Sequence, residues 1–257
     1  MRWIKKPYGM VIISGPTGSG KSTTLYAALK EIHSEGINIT TVEDPVEYQL
    51  NGINQVQMHD DIGLNFSSAL RSILRQDPDV VMVGEMRDVE TAQIGIQSSL
   101  TGHLVLSTVH TNSAVAAIAR LRDMGIESYL LASSLKTIIA QRLVRRLCNN
   151  CKTVDTPDDE TLKNLNLEKA AVVYKANGCE ECLDSGYKGR IAIAECLQVD
   201  KKIKEMIHNN SAEAEIQDYA FQNNESIDQA STNLILSGIT SCDEILRINN
   251  LKDNGSV

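Results

Sequence analysis

The stretch that most constrains this chain is Gly15-Pro16-Thr17-Gly18-Ser19-Gly20-Lys21-Ser22, which fits the phosphate-binding pattern G-x-x-x-x-G-K-[ST] at every fixed position. Ahead of it, Met10-Val11-Ile12-Ile13 is short, apolar and rich in β-branched residues, the composition of a buried parallel strand. Behind it, Thr23 to Lys30 is a good helix former. Strand, glycine loop and helix together predict a mechanism: successive backbone N–H groups converge on an anion, and the helix N-terminus adds partial positive charge. Lys21 is expected to reach the β- and γ-phosphates, and the Ser22 hydroxyl to ligate Mg²⁺. A nucleoside triphosphate is the predicted ligand of Gly15, Pro16, Thr17, Gly18, Ser19, Gly20, Lys21, Ser22 and Thr23.

Three further apolar runs read as core strands, and each ends in polar residues. Ile37 to Val42 leads into Glu43-Asp44-Pro45-Val46-Glu47-Tyr48. Open α/β sheets bind ligands at the carboxyl ends of their strands, so Glu47 or Glu43 is placed to orient an attacking water; a solvated acidic turn bent by Pro45 is the plainer reading. Val80 to Val83 ends in Gly84-Glu85-Met86-Arg87-Asp88, where Glu85 lies nearer the strand end than Asp88 and is the better candidate beside Mg²⁺ or water. Leu104 to Val109 ends at His110, a candidate γ-phosphate contact, while His103 at the other end reads as structural. Ile53 to Met58 alternates as a half-buried strand. Helices are expected at 66–75, capped by Asn65, and at 89–100, 114–123 and 128–147. The last of these would carry Arg142, Arg145 and Arg146, either as a solvated helix end or as contacts to a neighbouring subunit or acidic lipid.

Four of the six cysteines form two knuckles, Cys148-x-x-Cys151 and Cys179-x-x-Cys182. Two such pairs complete a tetrahedral Cys₄ shell for Zn²⁺ with no open position, hence a structural site. A redox dithiol or unrelated thiols are the rivals. Cys196 and Cys242 read as small core residues. Residues 155–160 can start a short helix, Ile191 to Ala194 is strand-like, and helices follow to about Asn250. The polar end of the chain is expected to fray.

Aromatic residues are only 4%, so the core must be aliphatic. The net charge of −8 and the lack of an aromatic-basic stretch weigh against a nucleic-acid translocase. No apolar run approaches membrane-span length. Met1 to Pro7 is too short and polar for an export signal, which predicts a cytoplasmic protein, and a chain that starts almost on its first strand reads as part of a longer one. A module that binds nucleotide with negligible hydrolysis is the rival of a different class.

In order, these motifs resemble the ATPases of type II secretion and type IV pilus assembly. The resemblance rests on Gly15 to Tyr26, the acidic box Thr41 to Tyr48, Leu74 to Asp79, Gly84 to Asp88, Thr101 through Asn112, and Gln141-Arg142-Leu143-Val144. The paired cysteines resemble the assembly and export branch. Gln97 to His103 and Arg120 to Gly125 look closer to the type II secretion members than to pilus-extension or competence ATPases. The resemblance implies an α/β, RecA-like P-loop core at 1–146, a tetracysteine zinc module at 147–190 and a helical C-terminal segment at 191–257. It also implies a homo-hexamer that uses ATP, Mg²⁺ and Zn²⁺ and drives pseudopilus assembly for protein export. Such a ring would sit at the cytoplasmic face of the bacterial inner membrane, held by assembly-platform proteins and binding no specific nucleic acid. By the same resemblance Glu47 is the base or water-orienting residue, Glu85 the strand-end carboxylate and His110 the γ-phosphate contact. Relatives carry a preceding domain that supplies nucleotide-facing arginines, so this stretch alone is expected to hydrolyse ATP slowly.

Overall fold

The computed structural model describes residue 4 and residues 6–253; the chain end expected to fray and most of the polar opening segment lie outside them. Five strands of one parallel sheet build the nucleotide-binding half. They are β1 (Gly9–Ser14), β2 (Ile39–Glu43), β3 (Asn54–Gln57), β4 (Val80–Val83) and β5 (Leu104–Val109), with helices α1 (Lys21–Ile32), α2 (Phe66–Ile73), α3 (Val89–Leu100), α4 (Ala114–Asp123) and α5 (Ser128–Ser134) between and after them. Next come β6 (Leu135–Leu147), β7 (Thr153–Asp155), α6 (Asp159–Asn164), β8 (Val173–Lys175) and β9 (Tyr187–Gln198). Helices α7 (Lys201–His208), α8 (Glu213–Phe221), α9 (Ile227–Leu236) and α10 (Cys242–Asp253) complete the chain. The large sheet has the order β3-β2-β4-β5-β1-β6-β9, and β7 and β8 form a separate antiparallel pair. This is the α/β architecture that the motifs implied.

Period-two alternation explains why the sheet needs helices on both faces. In β1, Val11 and Ile13 pack with Leu25 and Leu29 of α1. Met10 and Ile12 point the other way, to Ala92 and Ile96 of α3 and Val115 and Ile118 of α4. All six residues of β1 are buried, so the loop that follows it is mounted on a rigid strand.

One expectation is corrected. Residues 128–147 are not a single helix: α5 stops at Ser134, and β6 takes the next thirteen residues. From Leu135 the chain runs beside β1 in parallel register, Val11 opposite Thr137 and Ile13 opposite Ile139. Thr137, Ile138, Ile139 and Val144 are β-branched and favour the pleated backbone, and burial on both faces removes the alternation that would have marked a strand. Arg142, Arg145 and Arg146 therefore sit on a strand rather than at a helix end.

The chain divides into two compact units, one running to Ala140 and including Cys196–Asn224, the other comprising Gln141–Glu195 and the residues from Glu225 onward. The second has its own core, in which Val144, Leu162, Val173, Ile193, Ile235 and Ile245 pack together. Glu244 is fully buried there, and two arginines converge on it. Arg145 donates from its backbone N–H at 3.0 Å, from Nε at 2.9 Å and from Nη2 at 2.7 Å, and Arg247 from Nε at 2.9 Å and Nη2 at 2.8 Å. Arg145 also stacks over Tyr187, 4.0 Å from the ring centroid. It is thus occupied within its own unit. Burial pushes the Glu244 carboxyl up, but the hydrogen bonds from Arg247 and Arg145 outweigh it and bring the pKa to about 2.

A carboxyl depressed on folding stabilises above its unfolded pKa, about 4.3, and that stabilisation is lost as pH falls toward 2. Thermal melts should therefore fall between pH 5 and pH 2.5, with a shallower fall in Glu244→Gln. At neutral pH that variant should lose about 3–5 kcal/mol, because two arginines lose their buried counter-charge. Parallel pH profiles for the two proteins would expose a carboxylate with no such role.

Candidate active site and metal centre

Between β1 and α1 the chain closes into a loop that favours glycine at three points. Gly15 has φ +147°, Gly18 φ +75° and Gly20 φ +87°, all positive. Gly20 is the N-cap of α1 and offers no side-chain acceptor, and the first turn of the helix carries no acid. The positive end of the helix dipole is thus left for an external anion. Lys21 Nζ curls back and donates to the carbonyls of Gly15 at 2.8 Å and Pro16 at 3.1 Å. Its pKa is lowered by burial and partly restored by the charge of Glu85. Pro16, Thr17, Ser22 and Thr23 are exposed around the loop, while Gly15 and Ser19 are buried.

The same edge of the sheet receives the ends of β2, β4 and β5. Glu85 follows β4 and lies against two partners: His110 Nε2, just past β5, is 3.1 Å from its Oε1, and Arg87 Nε donates to its Oε2 at 2.7 Å. Arg87 reaches on to Asp44, past β2, at 3.7 Å. The backbone beneath is pinned. Gly84 N–H donates to Val42 O at 2.8 Å, Met86 N–H to Thr108 O at 3.0 Å, and Thr108 Oγ1 to Gly84 O at 2.7 Å. A Cβ on Gly84 would come within 3.3 Å of that Val42 oxygen, so close approach of β2 and β4 at this point favours glycine. Asp88, the other acid of this segment, is committed to capping α3, accepting from Thr91 N–H at 2.8 Å and Thr91 Oγ1 at 2.7 Å. His103 Nδ1 lies 3.0 Å from Ser98 O, a local structural contact at the far end of β5.

The two acids of the β2 box separate. Glu43 is buried and accepts from Tyr26 Oη, from Thr41 Oγ1 at 2.5 Å and from Gln55 Nε2 at 3.1 Å, three bonds that brace the sheet. Burial, then the bond to Glu43, drives the Tyr26 phenol far above its ordinary pKa. Glu47 is exposed, and its backbone N–H donates to Tyr26 Oη at 3.2 Å. Glu85 and His110 thus meet directly, and the charge of Glu85 acts on Lys21 from the same sheet edge, whereas among the described residues no hydrogen bond or ion pair joins Glu47 to any of the three. Sequence reading missed Tyr26, Asp44 and Arg87 as parts of this edge. Tyr26 lies five residues beyond Lys21 in an ordinary apolar helix, and nothing in its spacing signals that it reaches Glu43.

Oxygen atoms are the donors Mg²⁺ takes, and the exposed Ser22 hydroxyl at the first turn of α1 suits that ion. In the second unit, the sulfurs of Cys148, Cys151, Cys179 and Cys182 lie within 4.8 Å of one another. Three of their separations are 3.9, 3.8 and 3.7 Å. A tetrahedral ion with Zn–S bonds of about 2.3 Å requires sulfurs about 3.8 Å apart, and disulfide sulfurs would stand at about 2.0 Å. All four cysteines are free. Within the cluster the sulfurs differ: burial raises the Cys182 pKa, but N–H groups of Cys179 and Gly186, each 3.2 Å from its sulfur, help bring it down to about 7, while burial holds the Cys151 thiol up at about 11. The donor set fits zinc. Cys242 is buried and Cys196 half-buried, both outside the cluster.

Residues 1–247 match the family described as type II/IV secretion system protein. Over 249 residues the chain is 50% identical to the type II secretion system ATPase E of Vibrio cholerae, covering 96% of this chain and 50% of that one. It is 48% identical over 249 residues to the type IV pilus assembly ATPase PilB of Myxococcus xanthus, covering 95% of this chain and 44% of that one. A crystal structure of the pilus retraction motor PilT with bound ADP superposes with a TM-score of 0.73 at 28% identity, over 96% of this chain and 62% of that one. The chain spans about half the length of the curated relatives it matches.

Proposed function

Because the chain belongs to the type II/IV secretion system protein family, we propose that it is the ATP-hydrolysing motor portion of a type II secretion ATPase. The observation that carries this reading is the Glu85–His110 contact at the carboxyl edge of the sheet, with the Glu85 charge acting on Lys21 of the phosphate loop. In this reading the loop amides and Lys21 hold the β- and γ-phosphates. Water attacks the γ-phosphorus, the bond to the β-γ bridging oxygen breaks, and ADP and phosphate leave. Glu47 orients that water and takes up its proton, Glu85 keeps a fixed negative oxygen at the end of β4, and His110 contacts the γ-phosphate. Ser22 would hold Mg²⁺, which would supply positive charge to neutralise the phosphates.

Family membership supports the same reading of partners and place. Six copies form a ring in which neighbouring subunits complete one another's sites, and turnover drives pseudopilus assembly and protein export. Among the described residues no helix is long and apolar enough to cross a membrane; attachment at the cytoplasmic face of the inner membrane is through assembly-platform proteins, with the zinc module as their contact. The 48% identity to PilB favours pilus extension as the second reading.

Equilibrium binding of Mg·ATP tests the site: Lys21→Ala should weaken it by a hundredfold or more, and equal affinity in the two proteins would remove the phosphate loop from the account. The biological assignment is tested by joining this chain to the amino-terminal half of a type II secretion relative or of PilB. Export restored by the first chimera supports type II secretion, whereas piliation restored only by the second supports pilus extension.

A further inference from the structure

A second cavity lies within the first unit, at the opposite edge of the sheet. Its volume is about 580 Å³, inside the roughly 300–1,000 Å³ range of small-molecule sites. Tyr8 leads into β1 and Lys136 is near the start of β6, so the cavity sits at the amino ends of these strands. The phosphate loop follows their carboxyl edge, and the six residues of β1 between them span roughly 17 Å at about 3.3 Å per residue.

Lys6, Lys136 and Lys204 line this cavity together, in a chain whose net charge is −8. Burial lowers the Lys136 pKa, and the like charges of Lys204 and Lys6 lower it further. Among the described residues none of the three ammonium groups forms an ion pair with a carboxylate. One acid, Asp200, lines the cavity with them and Glu205 lies next to Lys204, and each has partners of its own. Asp200 caps α7 by accepting from Ile203 N–H at 2.8 Å and also accepts from Tyr219 Oη at 3.1 Å, and Glu205 pairs with Lys202 at 3.9 Å. Lys136 is held in place: its ammonium lies 5.1 Å from the centre of the Tyr8 ring, and its stem crosses Gly9 where a Cβ would approach within 2.3 Å.

We infer that this cavity is a second anion site that takes a phosphate-bearing small molecule between Lys6, Lys136 and Lys204, with the exposed Tyr8 ring as one wall. Three clustered, mutually repelling ammonium groups are relieved by a multivalent anion, and lysine binds phosphate as a point charge. A concave site of this size suits a small molecule better than a protein face, where contact surfaces are broad.

The test is a calorimetric titration of inorganic pyrophosphate into this chain carrying Lys21→Ala, which disables the phosphate loop. One equivalent should still bind, and adding Lys204→Gln should weaken that binding at least tenfold with the circular dichroism spectrum unchanged. Should Lys21→Ala not fold, Lys204→Gln in the otherwise unaltered chain should reduce the pyrophosphate stoichiometry from two to one. No binding to a folded Lys21→Ala chain overturns the inference, as does an affinity or stoichiometry that Lys204→Gln leaves unchanged.

Discussion

Replacing Glu85 by Gln should lower ATP turnover by about 10²–10⁴ while Mg·ATP affinity stays within a few-fold of the parent. The substitution keeps the shape of the side chain and one of its two oxygens, which can still accept from Arg87 or from His110 but not from both, and the backbone pins at Gly84 and Met86 are untouched. What it removes is a negative charge held 20% exposed at the end of a fully buried strand. Charge fixed there is worth more than the same charge in water, because the rigid site does not reorganise as the reaction proceeds. Losses of this order accompany removal of a positioned acid or base. Binding should survive because Lys21 and the loop amides, not Glu85, carry the phosphates. Turnover unchanged in Glu85→Gln would favour a nucleotide-gated binding module over a motor.

The second large effect concerns the four cysteines. The purified chain should hold one zinc per molecule, and Cys179→Ser should abolish it. Chelation should melt the second unit, since a structural zinc supplies on the order of 10 kcal/mol of folding free energy at neutral pH. The segment between the knuckles is built of short pieces, β7 and β8 of three residues each and α6 of six, which reach the core of the second unit through Leu162 and Val173. Far-UV and near-UV circular dichroism before and after chelation read the loss, and metal analysis counts the ion. A melting profile that ignores chelators, in protein that contains no zinc, would return the cysteines to the status of unrelated thiols.

The sequence revealed most clearly what local chemistry specifies. The glycines and Lys21 announce the phosphate loop because so few backbones can fold around an anion. The two C-x-x-C knuckles announce a metal because their sulfurs have little else to do. The β-branched runs at 80–83 and 104–109 read as strands for the same local reason. The 128–147 segment misled because it contains no Gly or Pro to mark the change at Ser134, and an apolar run buried on both faces has no period to tell strand from helix. Long-range pairings were also hidden. Tyr26 to Glu43, Asp44 to Arg87 and Arg145 to Glu244 join residues whose partnership depends on the strand order, and one sequence does not display that order. The choice of Glu85 over Asp88 rested on distance from the strand end, and the Asp88 cap supplies a physical reason for it.

The measurement that bears most directly on the central claim is phosphate release from Mg·ATP across a range of protein concentrations, with Lys21→Ala as the blank. The account predicts release above the blank, with a specific rate that climbs as subunits meet and complete one another's sites. A rate identical in the parent and in Lys21→Ala at every concentration would contradict it.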